Sequence, residues 1–202
     1  PKGIRPLAIG KNNGSFMVAS ESSAISSLGY KLLGDITPGQ AIIIDSGGAL
    51  DKKRLVRNIV HQPCIFEYVY FSRPDSTIDE ISVHKSRLRM GDFLGDKILN
   101  EYKNIDVDVV IPVPDTSRTS AMQVAHKLGV KYREGFMKNR YIGRTFIMPG
   151  QNTRKKSVAQ KLNPIEIEFK NKNVLLVDDS IVRGHTSKKI IQMVRNNGAK
   201  KV

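Results

Sequence analysis

The segment that most constrains the fold of this chain starts at Val174, where four apolar residues run directly into two adjacent carboxylates, Asp178 and Asp179. A short turn of small and polar residues follows, and apolar residues then recur at helical spacing from Ile190 to Val194. A buried strand that leads through a loop into a helix places that loop at the carboxyl edge of a parallel sheet, where open α/β folds bind ligands. The segment therefore predicts an α/β fold with a binding site at this strand end.

The residue types in this loop predict an anionic sugar ligand. The first backbone N–H groups of a helix have no intrahelical acceptor, and they favour an anion such as phosphate. Asp178 and Asp179 could accept hydrogen bonds from a sugar diol or help to hold Mg²⁺. A phosphorylated ribose has both the phosphate and the diol that these groups would bind, and its phosphate could share the Mg²⁺ ion. The alternative is that one of the two acids caps the following helix. The segment is neither a Walker loop nor a dinucleotide-binding Gly-x-Gly-x-x-Gly sequence.

Several stretches of the chain resemble a known family. Residues 178–187 resemble the phosphoribosyl pyrophosphate (PRPP) binding motif of type I phosphoribosyltransferases. Three further stretches resemble segments of the amidophosphoribosyltransferase family, the glutamine-dependent enzymes that open purine synthesis: Cys64–Ser76, Val110–Thr116 and Lys138–Ile147. The resemblance extends from near the start of the chain to its last residue.

The resemblance implies an α/β fold in two parts. Residues 76–202 would form a type I phosphoribosyltransferase domain with a parallel sheet, truncated at its C-terminal side. Residues 1–75 would be a linker and the mostly β trailing part of an N-terminal-nucleophile glutaminase domain. The hydrophobic pattern agrees, with strands predicted at 4–9, 15–20, 41–44, 64–71, 107–113, 130–136 and 174–177, and helices at 88–103 and 117–128.

The two ends of the sequence predict a longer native protein. The chain begins with Pro1 rather than methionine, and it stops at Val202, where a further strand should be starting. The catalytic nucleophile of the family's glutaminase half is an N-terminal cysteine, which this chain does not carry at its start. We therefore expect this chain to be inactive with glutamine and to lack any catalytic residue that we can name.

The resemblance also implies which residues bind PRPP and magnesium. Mg²⁺ would be held by Thr116, Asp178 and Asp179. The alternative for the loop at Thr116 is a cap on the helix predicted to follow it. The family often has threonine where His185 stands, which puts the affinity for phosphate in question. The substrate-binding set comprises Asp178, Asp179, Ser180, Arg183, Gly184, His185, Thr186, Ser187, Lys138 and Tyr141.

Residues 138–162 are predicted to form a long loop that mixes glycine, proline and cations. A loop of this length in a compact domain is more often functional than not, and it is commonly a lid. In the family that the chain resembles, this segment closes over bound PRPP. The alternative is a solvated surface loop.

Composition and charge narrow the class of protein. The chain has 33 lysines and arginines against 19 aspartates and glutamates, a net charge of +14, which predicts an anionic partner. Aromatic residues make up only 6%, which gives few stacking platforms and disfavours nucleic acid as that partner. No stretch approaches the roughly 20 apolar residues needed to span a bilayer. The single cysteine, Cys64, suits a cytoplasmic protein.

Taken with the resemblance, these features predict a function in purine synthesis. The intact enzyme would convert PRPP, glutamine and water to 5-phosphoribosylamine, pyrophosphate and glutamate. The resemblance further implies inhibition by purine nucleotides and a homo-oligomer when intact. Two alternatives stay open: a PRPP-binding regulatory protein that uses the same pocket without transfer, and a basic nucleic-acid-binding module.

Overall fold

The computed structural model describes residues 2–139 and 162–202. The chain divides into two compact units, Pro1–Arg87 and Leu88–Val202. Tyr141 and nearly all of the loop predicted at 138–162 lie outside the described residues. Within the described ranges, no helix combines the length and the apolar character that crossing a membrane requires. The domain boundary predicted at residue 75 stays a prediction.

The first unit is built largely from antiparallel strands. Three of them form a sheet in the order β2-β1-β3, and β4 and β5 form a separate hairpin. One short helix follows β2, and two strands of two residues each, β6 and β7, form a further hairpin near the end of the unit. The bounds are β1 (Ala8–Asn12), β2 (Ser15–Ala19), α1 (Ser22–Ser27), β3 (Lys31–Asp35), β4 (Gln40–Ile44), β5 (Leu50–Arg54), β6 (Thr77–Ile78) and β7 (Ile81–Ser82).

Two predictions for this unit need correction. The first strand lies later than predicted, at Ala8–Asn12, because Asn13 and Gly14 have positive φ and make the turn. The strand predicted at 64–71 is wrong, since Glu67–Phe71 is a π-helical turn. Glu67 and Tyr68 are adjacent in this turn and both are buried, whereas successive side chains of a half-buried strand alternate between buried and exposed. A short run of aromatic and β-branched residues does not separate strand from helix by itself.

The second unit contains a parallel sheet in the order β12-β8-β9. Helices lie between its strands along the chain, as the predicted α/β pattern requires. A small antiparallel pair, β10 and β11, stands apart from this sheet. The bounds are α2 (Val83–Glu101), β8 (Val109–Pro112), α3 (Arg118–Leu128), β9 (Lys131–Tyr132), β10 (Phe136–Lys138), β11 (Leu162–Pro164), α4 (Glu166–Phe169), β12 (Val174–Val177) and α5 (His185–Asn196).

Apolar clusters cover both faces of the parallel sheet, which explains why β8 and β12 are continuously apolar. Successive side chains of β8 point to opposite faces, so Val109 and Ile111 join one cluster and Val110 joins the other. The first cluster also holds residues of α4 and α5, including Phe169, whose ring centroid lies 5.1 Å from that of Phe136. The second holds Ala121, Val124 and Ala125 of α3.

The strand predicted at 130–136 is interrupted in the structure. β9 ends at Tyr132, and the chain resumes as β10 at Phe136 in a different sheet. Gly135 lies against the core between them. A Cβ atom there would approach Phe169 Cζ to 2.6 Å and Ile111 Cγ2 to 2.8 Å, so the backbone passes where no side chain fits. The strand predicted at 174–177 is confirmed as β12.

Candidate functional site

The candidate site lies at the carboxyl edge of the parallel sheet, where β8 and β12 end side by side. Val177 of β12 is in register with Pro112 of β8, and the Val113 N–H donates to the Val177 carbonyl at 2.8 Å. The loops that follow the two strands, 113–117 and 178–184, therefore leave the sheet as neighbours. This edge is where a parallel α/β fold binds ligands.

A hydroxyl from one loop meets a carboxylate from the other. The Thr116 hydroxyl donates to Asp179 Oδ2, and the Ser180 hydroxyl donates to Asp179 Oδ1 at 2.9 Å. The Asp179 backbone N–H donates to Asp178 Oδ1 at 2.9 Å. The structure thus brings together Thr116 and the acidic pair, which are 62 or more residues apart in the sequence.

Asp178 is the more perturbed of the two acids. Burial raises its pKa from 3.8 to about 6, against the opposing effect of the hydrogen bond from the Asp179 N–H, while the charge of Asp179 adds to the rise. It lines a mostly apolar cleft of about 350 Å³ with Leu94, Ile98 and Ile190. A hydroxyl donor or a cation that approaches a carboxylate in such surroundings stabilises it, because either favours the ionised form.

The helix α5 begins at the end of the acidic loop. Gly184 is its N-cap residue, with a left-handed backbone at φ +70°, which glycine adopts without steric cost. Gly184 holds the N-cap position and no side chain of the described residues caps this helix, so the alternative in which Asp178 or Asp179 acts as the cap is wrong. The N–H groups of the first turn, at residues 185–187, are therefore left for an anion. His185 and Thr186 are exposed, and Ser187 is half-buried.

The loop after β8 also does without a side-chain cap. Ser117 is the N-cap residue of α3, yet its hydroxyl donates back to the Val113 carbonyl and makes no capping hydrogen bond to the helix. The alternative for this loop is therefore confirmed for the position of Ser117 at the N-cap, but not for a capping hydrogen bond from its side chain. Asp115, one residue before Thr116, is exposed and faces Lys138 of β10, whose Nζ lies 2.7 Å from Asp115 Oδ2. Arg183, the other predicted cation of the site within the described ranges, is exposed.

The side chains at this site suit a magnesium ion that also binds water and substrate oxygens. Among the described residues, no group of three or more His, Cys, Asp or Glu side chains could hold a metal ion. Mg²⁺ usually binds one or two carboxylates and completes its shell with water and substrate phosphates. The oxygens of Asp178, Asp179 and Thr116 fit that mode, and they do not form a closed protein cage.

Sequence reasoning missed a charged network beside the site. Arg118 Nη1 lies 3.4 Å from Asp115 Oδ1, and Arg118 Nε donates to Glu134 Oε2 at 3.2 Å. The Tyr132 hydroxyl donates to the other oxygen of Glu134, and burial raises the pKa of this tyrosine. One signal was available, since Glu134 is the single acid in the basic stretch 131–161.

Comparison with known proteins agrees with this geometry. The family model described as a phosphoribosyl transferase domain matches residues 77–202. An amidophosphoribosyltransferase of Pseudomonas aeruginosa is 59% identical over 206 residues, and that of Escherichia coli is 56% identical over 207. Each alignment covers 100% of this chain and 41% of the relative, so the chain spans about two fifths of the length of these relatives.

Solved structures give the same result for the fold. The glutamine PRPP amidotransferase from B. subtilis, complexed with ADP and GMP, superposes with a TM-score of 0.84 at 42% identity, over 99% of this chain and 43% of that one. The predicted resemblance and the predicted fold class are therefore confirmed, including the mostly β character of the first unit. Because the family model covers more than half of the chain, the chain belongs to the phosphoribosyl transferase domain family.

Proposed function

We propose that this chain is the PRPP-binding part of an amidophosphoribosyltransferase of purine synthesis. The observation that carries the proposal is the meeting of Thr116 with the Asp178-Asp179 pair at the carboxyl edge of the sheet, directly before the uncapped start of α5. Further support comes from relatives of that name, which are 45–59% identical over the whole chain.

Each part of PRPP has a counterpart in this arrangement. The ribose hydroxyls would donate to the carboxylates of Asp178 and Asp179, which accept hydrogen bonds when ionised. The 5′-phosphate would lie at the N–H groups of residues 184–187, with the hydroxyls of Thr186 and Ser187 close by. Lys138 would contact the pyrophosphate. Arg183, Ser180, His185 and, outside the described residues, Tyr141 complete the proposed set.

Magnesium is part of the same proposal. Asp178, Asp179 and Thr116 would hold it together with oxygens of the substrate. When bound, the ion would neutralise charge on the pyrophosphate. The two carboxylates would also keep the ribose oriented, and this positioning is the contribution that the chain itself makes.

The proposed reaction needs little acid or base from the chain. The nitrogen of ammonia attacks the anomeric carbon of the ribose and forms a C–N bond. The C–O bond to pyrophosphate breaks, and its electron pair leaves with the pyrophosphate. The nitrogen then loses a proton to solvent. Catalysis would come from orientation and from cations such as Lys138 near the departing charge.

The partners of the intact enzyme belong to the proposal as well. We propose that glutamine supplies the ammonia, that purine nucleotides inhibit, and that the intact protein is a cytoplasmic homo-oligomer. Support for nucleotide binding comes from the B. subtilis relative, which is described as complexed with ADP and GMP.

Titration calorimetry with PRPP and magnesium, followed by an assay of pyrophosphate release in ammonium buffer, tests the proposal. Saturable binding that needs magnesium, with release that needs ammonia, is the expected result. Binding without release would favour the PRPP-responsive regulatory protein. An absence of saturable PRPP binding would overturn the proposal altogether.

A further inference from the structure

Lys138, the cation proposed to contact pyrophosphate, already has an anionic partner. Its Nζ lies 2.7 Å from Asp115 Oδ2, within the distance of a charge-assisted hydrogen bond. Both side chains are about half exposed, at 45% and 51%. A phosphate oxygen that approached Lys138 along the same direction would have to displace this carboxylate.

Asp115 is itself held in place by its second oxygen. Arg118 Nη1 lies 3.4 Å from Asp115 Oδ1, and Arg118 is tied in turn to Glu134. Positive and negative groups therefore alternate from Lys138 to Glu134. Glu134 holds the Arg118 side chain, and Arg118 contacts Asp115. Asp115 would therefore stay near Lys138 when that lysine turns to a ligand.

We propose that Asp115 competes with pyrophosphate for Lys138, and thereby weakens the binding of every ligand that presents a pyrophosphate group to this edge of the sheet. The proposal rests on the proposed function, since it takes Lys138 as a pyrophosphate ligand. Asp115 acts through Lys138 and is a positioning residue, with no contact to the reacting atoms required of it.

The size of the effect follows from the exposure of the pair. Exposed ion pairs contribute little because water and salt screen them, so releasing one should strengthen ligand binding about twofold to fivefold. A pyrophosphate carries several negative charges and can displace a single carboxylate. After the C–O bond breaks, the same carboxylate would recapture Lys138 and assist the departure of the product, a step that often limits turnover.

A double-mutant cycle tests this competition. Titration calorimetry with inorganic pyrophosphate and magnesium would compare the parent, Asp115→Asn, Lys138→Gln and the double variant. Asp115→Asn should bind pyrophosphate about twofold to fivefold more tightly than the parent. In the Lys138→Gln background the same change should have no effect, because the cation for which Asp115 competes is gone.

A control separates competition from a general change in charge. Asp96→Asn removes the same charge from another ion pair, that of Asp96 with Lys127 at 2.9 Å, near the opposite end of α3 from Arg118. It should leave the affinity for pyrophosphate unchanged. An equal gain from Asp115→Asn with and without Lys138 would overturn the proposal, since it would indicate simple repulsion of the ligand.

Failure of this inference can be told apart from failure of the proposed function. If the parent chain binds pyrophosphate and Asp115→Asn binds it equally or more weakly, the competition is refuted and the proposed function stands. If the parent binds neither PRPP nor pyrophosphate, both are refuted. Melting curves of all variants would confirm that each is folded.

Discussion

The Asp178→Asn substitution should stabilise the folded chain at neutral pH, although the same residue is proposed to bind ribose. Burial raises the pKa of the Asp178 carboxyl from 3.8 to about 6, so ionisation costs more free energy in the folded chain than in the unfolded chain. Asparagine has nearly the same shape, carries no charge, and can still accept the hydrogen bond from the Asp179 N–H.

The magnitude follows from the change in proton affinity. A pKa raised from 3.8 to about 6 corresponds to about 3 kcal/mol, at 1.36 kcal/mol for each tenfold change. Because the side chain is only partly buried, solvent screens part of this, and we expect a gain of about 1 to 2 kcal/mol. The stability of the parent is highest, as far as this group is concerned, below pH 3.8, and this contribution is lost as the pH rises through about 6.

Urea unfolding followed by far-ultraviolet circular dichroism would measure this, with a chelator present to remove divalent metals. The unfolding free energies of parent and Asp178→Asn should coincide near pH 4 and diverge in favour of the variant up to pH 7. Asp51→Asn, which removes the same charge from an exposed side chain, should show no such pH-dependent gain. A variant that is less stable than its parent at pH 7, or equally stable from pH 4 to pH 7, would refute the reasoning.

Two glycine substitutions give further predictions. An alanine Cβ at position 184 would have no atom of the described residues within 4 Å, so only the left-handed backbone opposes Gly184→Ala, at a cost of about 1 kcal/mol in urea unfolding. PRPP affinity should also fall, and an unchanged unfolding free energy would contradict the strain. Gly135→Ala places a methyl group against the buried side chains of Phe169 and Ile111 and should cost about 1 to 3 kcal/mol. A Gly135→Ala chain as stable as its parent would show that the core there yields easily.

Much of the second unit could be predicted because its apolar periodicity and its breakers agree. The strand at Val174–Val177 and the helix at Arg118–Leu128, ended by Gly129 in the left-handed region, follow from burial and capping rules that act locally. The break between β9 and β10 was not predictable, because it depends on the contact of Gly135 with Phe169. That contact joins residues distant in the sequence.

The same division holds for the site. The acidic pair and the start of α5 lie within one continuous segment, so their neighbourhood was visible from the sequence. Two contacts were not visible. The link from Arg118 to Glu134 crosses 16 residues, and the pairing of Lys138 with Asp115 crosses 23. Both depend on how residues 134–138 are placed relative to the loop after β8, and the prediction of one strand over 130–136 had that placement wrong.

The central claim is that Asp178 and Asp179 bind the ribose of PRPP, and one calorimetric comparison tests it most directly. Titration of PRPP with magnesium into the parent, Asp178→Asn and Asp179→Asn should give a Kd about tenfold to a hundredfold weaker for each variant, since each loses a charged acceptor. Asp96→Asn should bind as the parent does. Equal affinity for PRPP in the parent and both acidic-pair variants would contradict the claim.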